Sequence, residues 1–268
     1  SACSLDAARA RSTQMLVASS IHATTASSVQ LRVQALMSQR VLAFGDSLTA
    51  GTHRMDDEQL FPYAPHLERV LCYGASMTAG ASPPYKELFP FAPALEETLG
   101  DGAVVRHRGL PGWTAKAMLD YANDEQRGLC GILRRIRDPS VALAIILAGT
   151  NDVGCYASAD ETFEALTGLH GAAHALGVRT LAVGIPPSAF QGRDPVAAQT
   201  VADVNERLRA WCTAQRDALA EYVPHPVGVF EPGGKLWSSD GLHLSPEGYK
   251  ATGEGLAGVV RGRLVSAR

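Results

Sequence analysis

Two segments of the sequence place a serine where an apolar strand ends and a helix is predicted to begin. One reads Gly-Asp-Ser-Leu-Thr-Ala-Gly and contains Ser47, and the other reads Gly-Ala-Ser-Met-Thr-Ala-Gly and contains Ser76. The glycines let the backbone bend sharply, which exposes the hydroxyl as a nucleophile requires. A simple turn or a phosphate-binding loop has the same composition. Other segments must therefore decide which chemistry these serines do.

A carboxylate and an imidazole lie three residues apart near the end of the chain, in Asp240-Gly-Leu-His243. One turn can bring both to the same side, so that Asp240 holds the tautomer of His243 and His243 acts as a base toward a serine. Without a serine turn, an Asp-Gly turn followed by a surface histidine would be the favoured interpretation. Because both features are present, the pair favours nucleophilic catalysis by serine.

Two further segments can supply hydrogen-bond donors to an oxyanion. Asn151, in Gly-Thr-Asn-Asp, follows the most apolar predicted strand and is expected at the carboxyl edge of a parallel sheet, where α/β folds keep their ligand sites. Gly112, in Gly-Leu-Pro-Gly-Trp, also follows a predicted strand and can present a bare backbone N–H. A capping turn and a tight turn are the competing interpretations of these two segments.

In this order along the chain, the four segments resemble those of the SGNH hydrolases, also called GDSL esterases and lipases. The resemblance runs from about residue 70, or from residue 41, to the end of the chain. It implies a serine esterase that hydrolyses small to medium acyl esters and needs neither a metal nor an organic cofactor. The implied roles are a serine nucleophile (Ser76 or Ser47), His243 as base, Asp240 as its partner, and Gly112 and Asn151 as oxyanion donors together with the serine N–H.

Short apolar runs alternate with longer segments of helical periodicity, which predicts an α/β fold. The clearest strands are Ala103–Arg106, Val141–Leu147 and Arg179–Val183, and their nearly unbroken apolar character is typical of a sheet covered on both faces. Ser158 with Glu161 predicts a capped helix, and Ser245 predicts the start of another. Together with the resemblance, this indicates the three-layer α/β/α SGNH hydrolase fold, with a mostly parallel, flavodoxin-like central sheet.

The serine segment belongs to a tandem duplication, because residues 41–51 recur as 70–80 and residues 60–68 recur as 88–96. The sequence therefore predicts an N-terminal extension at 1–40, transit-like or with a short helix, a duplicated βα unit at 41–69 and an SGNH hydrolase domain at 70–268. Near-identical units can also exchange between chains, so a domain swap is a further expectation, and the oligomeric state stays open.

The two serines compete for one triad. Ser47 keeps the preceding acid, Asp46, which can tie down the turn, whereas Ser76 follows Ala75. Topology favours Ser76, because its unit ends at a Gly-Asp-Gly stop, whereas the first unit runs straight into Val70 and would have to be inserted within the sheet. The 36 residues from Ser76 to Gly112 also resemble the spacing usual in the family. Ser76 is preferred, and Ser47 stays open.

Composition argues against several other classes of protein. Lys and Arg number 24 against 27 Asp and Glu, without a dense basic run, so nucleic acid is not an expected partner. The longest apolar run, Val141–Ala148, is too short for a membrane-spanning helix. Five widely spaced cysteines predict neither a disulfide framework nor a zinc site and favour an intracellular, cytoplasmic or organellar location.

The histidines other than His243 do not form a spacing that predicts a metal site. His170 and His174 lie four residues apart on a predicted helix, but a third ligand is not evident. We interpret these histidines as solvated or partly buried side chains.

Two alternatives to an esterase stay open. In one, the duplication and Ala75 have disabled catalysis, and a pseudoenzyme serves as a structural or acyl-binding subunit. In the other, the same site is that of an acyltransferase, passing the acyl group to a sugar or alcohol instead of water. A covalent serine probe tests the first alternative, and product analysis tests the second.

Overall fold

The computed structural model describes residues 68–101, 103–136, 141–215 and 219–265. Within these ranges, five strands form one parallel sheet in the order β2-β1-β3-β4-β5. The strands are β1 (Glu68–Gly74), β2 (Ala103–Gly109), β3 (Leu143–Leu147), β4 (Arg179–Val183) and β5 (Ala220–Val223). This is the doubly wound, flavodoxin-like order, which confirms the predicted fold class.

Helices connect the strands and cover both faces of the sheet. In the described ranges they are α1 (Ser76–Ala79), α2 (Ala92–Leu99), α3 (Ala115–Asp120), α4 (Leu129–Arg135), α5 (Thr150–Gly154), α6 (Ala159–His174), α7 (Ala189–Arg193), α8 (Pro195–Ala214) and α9 (Pro246–Val265). Helices α2 and α9 pack together, and their side chains join Val70 and Cys72 of β1 in one buried cluster. Helices α6 and α8 pack against each other, α6 also against β4 and α8 against β5. Of the described helices, none is both long enough and apolar enough to cross a membrane.

The predicted helix caps are confirmed. Ser158 Oγ accepts the N–H of Glu161 at 3.2 Å, and the Glu161 carboxylate accepts the N–H of Ser158 at 2.8 Å, which closes a capping box at the start of α6. Ser245 Oγ accepts the N–H of Gly248 at 3.1 Å where α9 begins. Each cap satisfies N–H groups that have no partner within the helix.

Three strands differ from the sequence-based expectation. Strand β3 begins at Leu143 and not at the predicted Val141. The ladder between β1 and β2 continues to the pair Gly74 and Gly109, so β2 extends beyond Arg106 through polar residues that mask it in the sequence. Strand β5 was not predicted, because only its first residue, Ala220, is fully buried and it lies at the edge of the sheet. Ser47, the predicted extension and nearly all of the predicted duplicated unit lie outside the described residues.

Two histidines are more buried than expected, so the interpretation of them as solvated or partly buried side chains is wrong. His170 of α6 is completely buried, and its Nδ1 lies 2.7 Å from the hydroxyl of Thr180 on β4. His225 is also buried, and its Nδ1 accepts the N–H of Val227 at 3.2 Å. Burial lowers the pKa of His170 to about 3 and that of His225 to about 4, so both are neutral near pH 7.

The buried histidines predict a loss of stability in mild acid. In the unfolded chain each titrates near its ordinary pKa of about 6.5, so the unfolded state binds protons that the folded state excludes as the pH falls below that value. The free energy of unfolding should therefore decrease from about pH 6.5 downward, by at most about 1.4 kcal/mol per pH unit for each histidine. Urea unfolding across this range measures the slope. His170→Gln should reduce this slope by up to about 1.4 kcal/mol per pH unit, which corresponds to one proton. An unchanged slope would contradict a buried, neutral His170.

Candidate active site at the carboxyl edge of the sheet

Ser76 lies where β1 turns into α1, at the carboxyl edge of the sheet. Gly74, the last residue of β1, pairs in register with Leu147 of β3. A Cβ at Gly74 would lie 1.9 Å from the Leu147 carbonyl oxygen and 2.4 Å from Thr78 Oγ1, so only glycine allows this close approach. The turn leaves Ser76 as the first residue of α1, with 8% of its surface exposed.

A chain of hydrogen bonds joins Ser76 to His243 and Asp240. The Ser76 hydroxyl lies 3.0 Å from His243 Nε2, and His243 Nδ1 lies 2.6 Å from Asp240 Oδ2. The other Asp240 oxygen, Oδ1, accepts the backbone N–H groups of Leu242 and His243, both at 2.9 Å. The carboxylate is thus fixed by its own turn while it contacts the imidazole.

The segment that carries Asp240 and His243 is itself anchored at both sides. Its ends meet in an antiparallel bridge between Trp237 and Leu244, and Ser238 N–H donates to the His243 carbonyl at 2.9 Å. The Ser238 hydroxyl donates to the carbonyl of Pro83, in the loop that follows α1. On the other side, Ala189 N–H of α7 donates to the Gly241 carbonyl at 2.8 Å. These contacts hold the imidazole against the serine turn.

Two opposing effects act on the Asp240 carboxylate. Burial alone raises the pKa of Asp240, but the hydrogen bonds from the His243 ring and from the backbone N–H groups of His243 and Leu242 outweigh it and hold the pKa below its ordinary value. Asp240 is therefore an anion at neutral pH, as a partner of an imidazolium must be.

Gly112 lies in a tight turn beside the end of β1. Leu110 N–H donates to the Gly74 carbonyl at 2.8 Å, and Trp113 N–H closes the turn on the Leu110 carbonyl at 3.1 Å. Pro111 occupies the second position of the turn and Gly112, with a φ of +80°, the third, which is the pattern of a type II turn. Apart from Gly112 itself and its neighbours Pro111 and Trp113, no atom of the described residues lies within 4 Å of the position that a Gly112 Cβ would take, so this side of the turn is open.

Asn151 lies in α5, which begins directly after β3 and Gly149. Its side-chain nitrogen, Nδ2, donates to the Trp113 carbonyl at 2.8 Å. An amide nitrogen carries two hydrogens, so one remains for another acceptor. The structure thereby brings Asn151 next to the residue that follows Gly112.

The sequence-predicted residues thus fall into two groups, and the members of each group are joined by hydrogen bonds. Ser76, His243 and Asp240 contact one another directly, and Gly112 and Asn151 meet through Trp113. Ser47 lies outside the described residues. Among the residues that the structure does describe, no group of three or more His, Cys, Asp or Glu side chains could hold a metal ion.

Sequence reasoning missed two residues that support this site. Ser238 has no motif that marks it, and only the fold shows that its hydroxyl reaches Pro83. Asp152 follows Asn151 directly and reads as an ordinary loop residue, yet it is 2% exposed and accepts the N–H of Ala115 at 2.7 Å. The available signal was its place beside Asn151 after a buried strand.

Comparisons with known proteins identify the family of the chain. The family model described as GDSL-like Lipase/Acylhydrolase matches residues 72–251, which is more than half of the chain. A comparison with curated proteins finds no match.

Solved structures of similar fold cover about three quarters of this chain. A carbohydrate acetylesterase from Sinorhizobium meliloti is 22% identical, with 73% of this chain and 99% of that chain covered and a TM-score of 0.56. An aryl esterase from M. smegmatis is 20% identical, with coverage of 74% and 100% and a TM-score of 0.56. A lipase/acylhydrolase from Enterococcus faecalis is 19% identical, with coverage of 74% and 97% and a TM-score of 0.54. The chain belongs to the GDSL-like lipase/acylhydrolase family and is an ester hydrolase of the SGNH type.

Proposed function

We propose that the protein is a serine esterase in which Ser76 is the nucleophile, His243 the general base and Asp240 its partner. The observation that carries this proposal is the chain of two hydrogen bonds, 3.0 Å from Ser76 to His243 and 2.6 Å from His243 to Asp240. In a triad, the imidazole donates through Nδ1 to the carboxylate, which leaves Nε2 free to accept the serine proton. The geometry supports this tautomer.

The reaction then proceeds in two halves. His243 takes the hydroxyl proton as Ser76 Oγ bonds to the ester carbonyl carbon, and the imidazolium gives that proton to the alcohol as the ester C–O bond breaks. Water attacks the resulting acyl-enzyme, His243 accepts a proton from it, and the carboxylic acid leaves as Ser76 regains its proton. Asp240 remains ionised throughout and stabilises the imidazolium.

Three N–H groups are proposed to hold the oxyanion: the backbone N–H groups of Ser76 and Gly112 and the second amide hydrogen of Asn151. The open side of the Gly112 turn and the contact between Asn151 and the Trp113 carbonyl support this role. Donors that are already fixed before the reaction stabilise developing charge without reorganisation.

Ser76 is proposed rather than Ser47 for two reasons. Ser76 contacts His243, and the family match begins at residue 72, so it includes Ser76 and leaves Ser47 out. The same contact argues against the pseudoenzyme alternative, because the nucleophile, base and acid are in hydrogen-bonding positions.

Small to medium acyl esters are the proposed substrates. Among the solved structures of similar fold are a carbohydrate acetylesterase and an aryl esterase, and their names support compact acyl or aryl esters. Residues 72–251 contain all five proposed site residues.

The choice of nucleophile is tested by covalent labelling with a fluorophosphonate, which reacts with activated serines. Ser76→Ala should abolish labelling and hydrolysis of a short acyl ester, whereas Ser47→Ala, the matched control in the other copy of the motif, should keep both. Intact-mass and peptide mapping locate the adduct.

Labelling that survives in Ser76→Ala and disappears in Ser47→Ala would overturn the assignment of Ser76 as the nucleophile. Labelling of wild type without hydrolysis, but with ester formation when an alcohol is added, would indicate an acyltransferase.

The oxyanion role of Asn151 predicts a large kinetic effect. Asn151→Ala should lower kcat about 100-fold or more, or about 3 kcal/mol of transition-state stabilisation, because a donor to the developing charge is lost. Asn123→Ala is the matched control, since Asn123 is an exposed turn residue whose amide oxygen accepts from Arg134. Steady-state hydrolysis measures both variants. A similar kcat for the two would contradict the role.

A further inference from the structure

A buried carboxylate that the mechanism does not use lies directly beside Asn151. Asp152 is 2% exposed and belongs to the same short helix, α5. Burial raises the pKa of Asp152, although hydrogen bonds from backbone N–H groups act in the opposite direction. In the described part of the chain, its partners are these N–H groups and not a basic side chain. A buried carboxylate is costly, so its presence calls for a physical reason.

Asp152 contacts the segment that follows the Gly112 turn. Its Oδ2 accepts the N–H of Ala115 at 2.7 Å, and its Oδ1 accepts the N–H of Lys116 at 3.3 Å. These are the first two residues of α3, and the third N–H of that helix, on Ala117, donates to Thr114 Oγ1 at 3.0 Å. The carboxylate therefore satisfies N–H groups that the helix itself leaves without partners.

Two adjacent residues of α5 thus hold one short segment of the neighbouring loop. Asn151 donates to the Trp113 carbonyl, and Asp152 accepts from Ala115 and Lys116. The two contacts have opposite polarity and flank Thr114, so the segment can neither slide along α5 nor turn away from it without breaking a hydrogen bond.

The sheet order explains why such a contact is needed. Gly112 follows β2 and Asn151 follows β3, and these strands are not neighbours, because β1 lies between them. The two proposed donors therefore approach from opposite sides of the strand that carries Ser76. The hydrogen bonds of Asp152 and Asn151 join the two loops above the end of β1.

We propose that Asp152 is a positioning residue that fixes the Gly112 N–H relative to the Asn151 amide, so that both point at the same oxyanion. This inference rests on the proposed function, since it requires Gly112 and Asn151 to be the donors. A misplacement of about 1 Å in such a site costs roughly 100-fold in rate, so the contact matters for kcat more than for binding of the ground state.

An amide cannot replace the carboxylate here. Asp152 offers two acceptor oxygens to two N–H groups, whereas asparagine offers one oxygen and one NH₂ group. In Asp152→Asn, either Ala115 or Lys116 would keep its N–H without an acceptor, and the charge that strengthens both hydrogen bonds would be lost. Position 152 would then accept one of these two N–H groups instead of both, so the segment after Gly112 would be held less firmly.

Asp194 provides a matched control. Its carboxylate likewise accepts two backbone N–H groups at a helix start, from Val196 at 2.9 Å and from Ala197 at 3.2 Å. It caps its own helix, α8, and both of these hydrogen bonds go to that helix. Both N–H groups donate to the same oxygen, Oδ1, so Asp194→Asn removes the carboxylate charge at a helix start without moving the proposed donors. It therefore controls for the loss of charge.

The test is a kinetic comparison of Asp152→Asn and Asp194→Asn in the full chain, with a short acyl ester of p-nitrophenol as substrate. Asp152→Asn should lower kcat about 10- to 100-fold with KM changed by less than about 2-fold, while Asp194→Asn keeps kcat. In an Asn151→Ala background, Asp152→Asn should cost much less, because residues that act as a unit are not additive. Thermal unfolding of each variant separates these effects from loss of folded protein.

Three results would overturn the proposal. The first is a kcat for Asp152→Asn within about 2-fold of wild type, and the second is an equal loss with and without the Asn151 amide. The third concerns folding. If Asp152→Asn does not fold, Asp152→Glu, which keeps the charge but shifts it by one methylene, should fold with lowered kcat. Failure of both variants to fold would assign Asp152 to the fold alone. If Ser76→Ala abolishes activity and Asn151→Ala lowers kcat about 100-fold while Asp152→Asn keeps the wild-type kcat, only this inference fails.

Discussion

The close approach of β1 and β3 at their carboxyl ends is the constraint on which the site depends. Gly74 pairs in register with Gly109 of β2 on one side and with Leu147 of β3 on the other. Because Gly74 has no side chain, the β3 carbonyl can lie against the start of the serine turn. Ser76 therefore leaves the sheet from an interior strand, between the loops that carry Gly112 and Asn151. Because β1 has a neighbour on each side, each neighbour can bring one of the two proposed oxyanion donors to Ser76.

The strand that precedes His243 lies much further from the Ser76 turn than β2 and β3 do. His243 follows β5, which is separated from β1 by β3 and β4. The chain between β5 and α9 returns across the carboxyl edge and is held there by contacts to Pro83 and to α7. The position of His243 beside Ser76 thus depends on loop contacts, which regular secondary structure does not supply. The turn from Asp240 to His243 is itself fixed, because the Asp240 carboxylate accepts hydrogen bonds from two backbone N–H groups.

The sequence predicted the fold class because the relevant signals are local. Apolar strands followed by turns, the capping box at Ser158 and the helix start at Ser245 each depend on residues within a few positions of one another. It did not predict which loops meet. The contact of Asp152 with Ala115 spans 37 residues, and the contact of His170 with Thr180 requires α6 to fold back onto β4. The short edge strand β5 lacked the apolar run by which the other strands were recognised.

Ser76 follows Ala75, whereas Ser47 follows Asp46. This difference is the sequence feature that most favoured Ser47 as the nucleophile. In the structure, the serine turn is ordered by backbone groups instead: Ala75 N–H donates to the Leu147 carbonyl at 3.3 Å, and the Ala75 carbonyl accepts from Thr78 and Ala79, both at 3.1 Å. The Tyr249 hydroxyl of α9 donates to the Ala81 carbonyl at 2.5 Å and anchors the far end of α1. A carboxylate at position 75 would enter a site that is 2% exposed and would have to be desolvated there. Alanine at this position is thus compatible with an ordered serine turn, so Ser76 does not need an acid before it to be held in place.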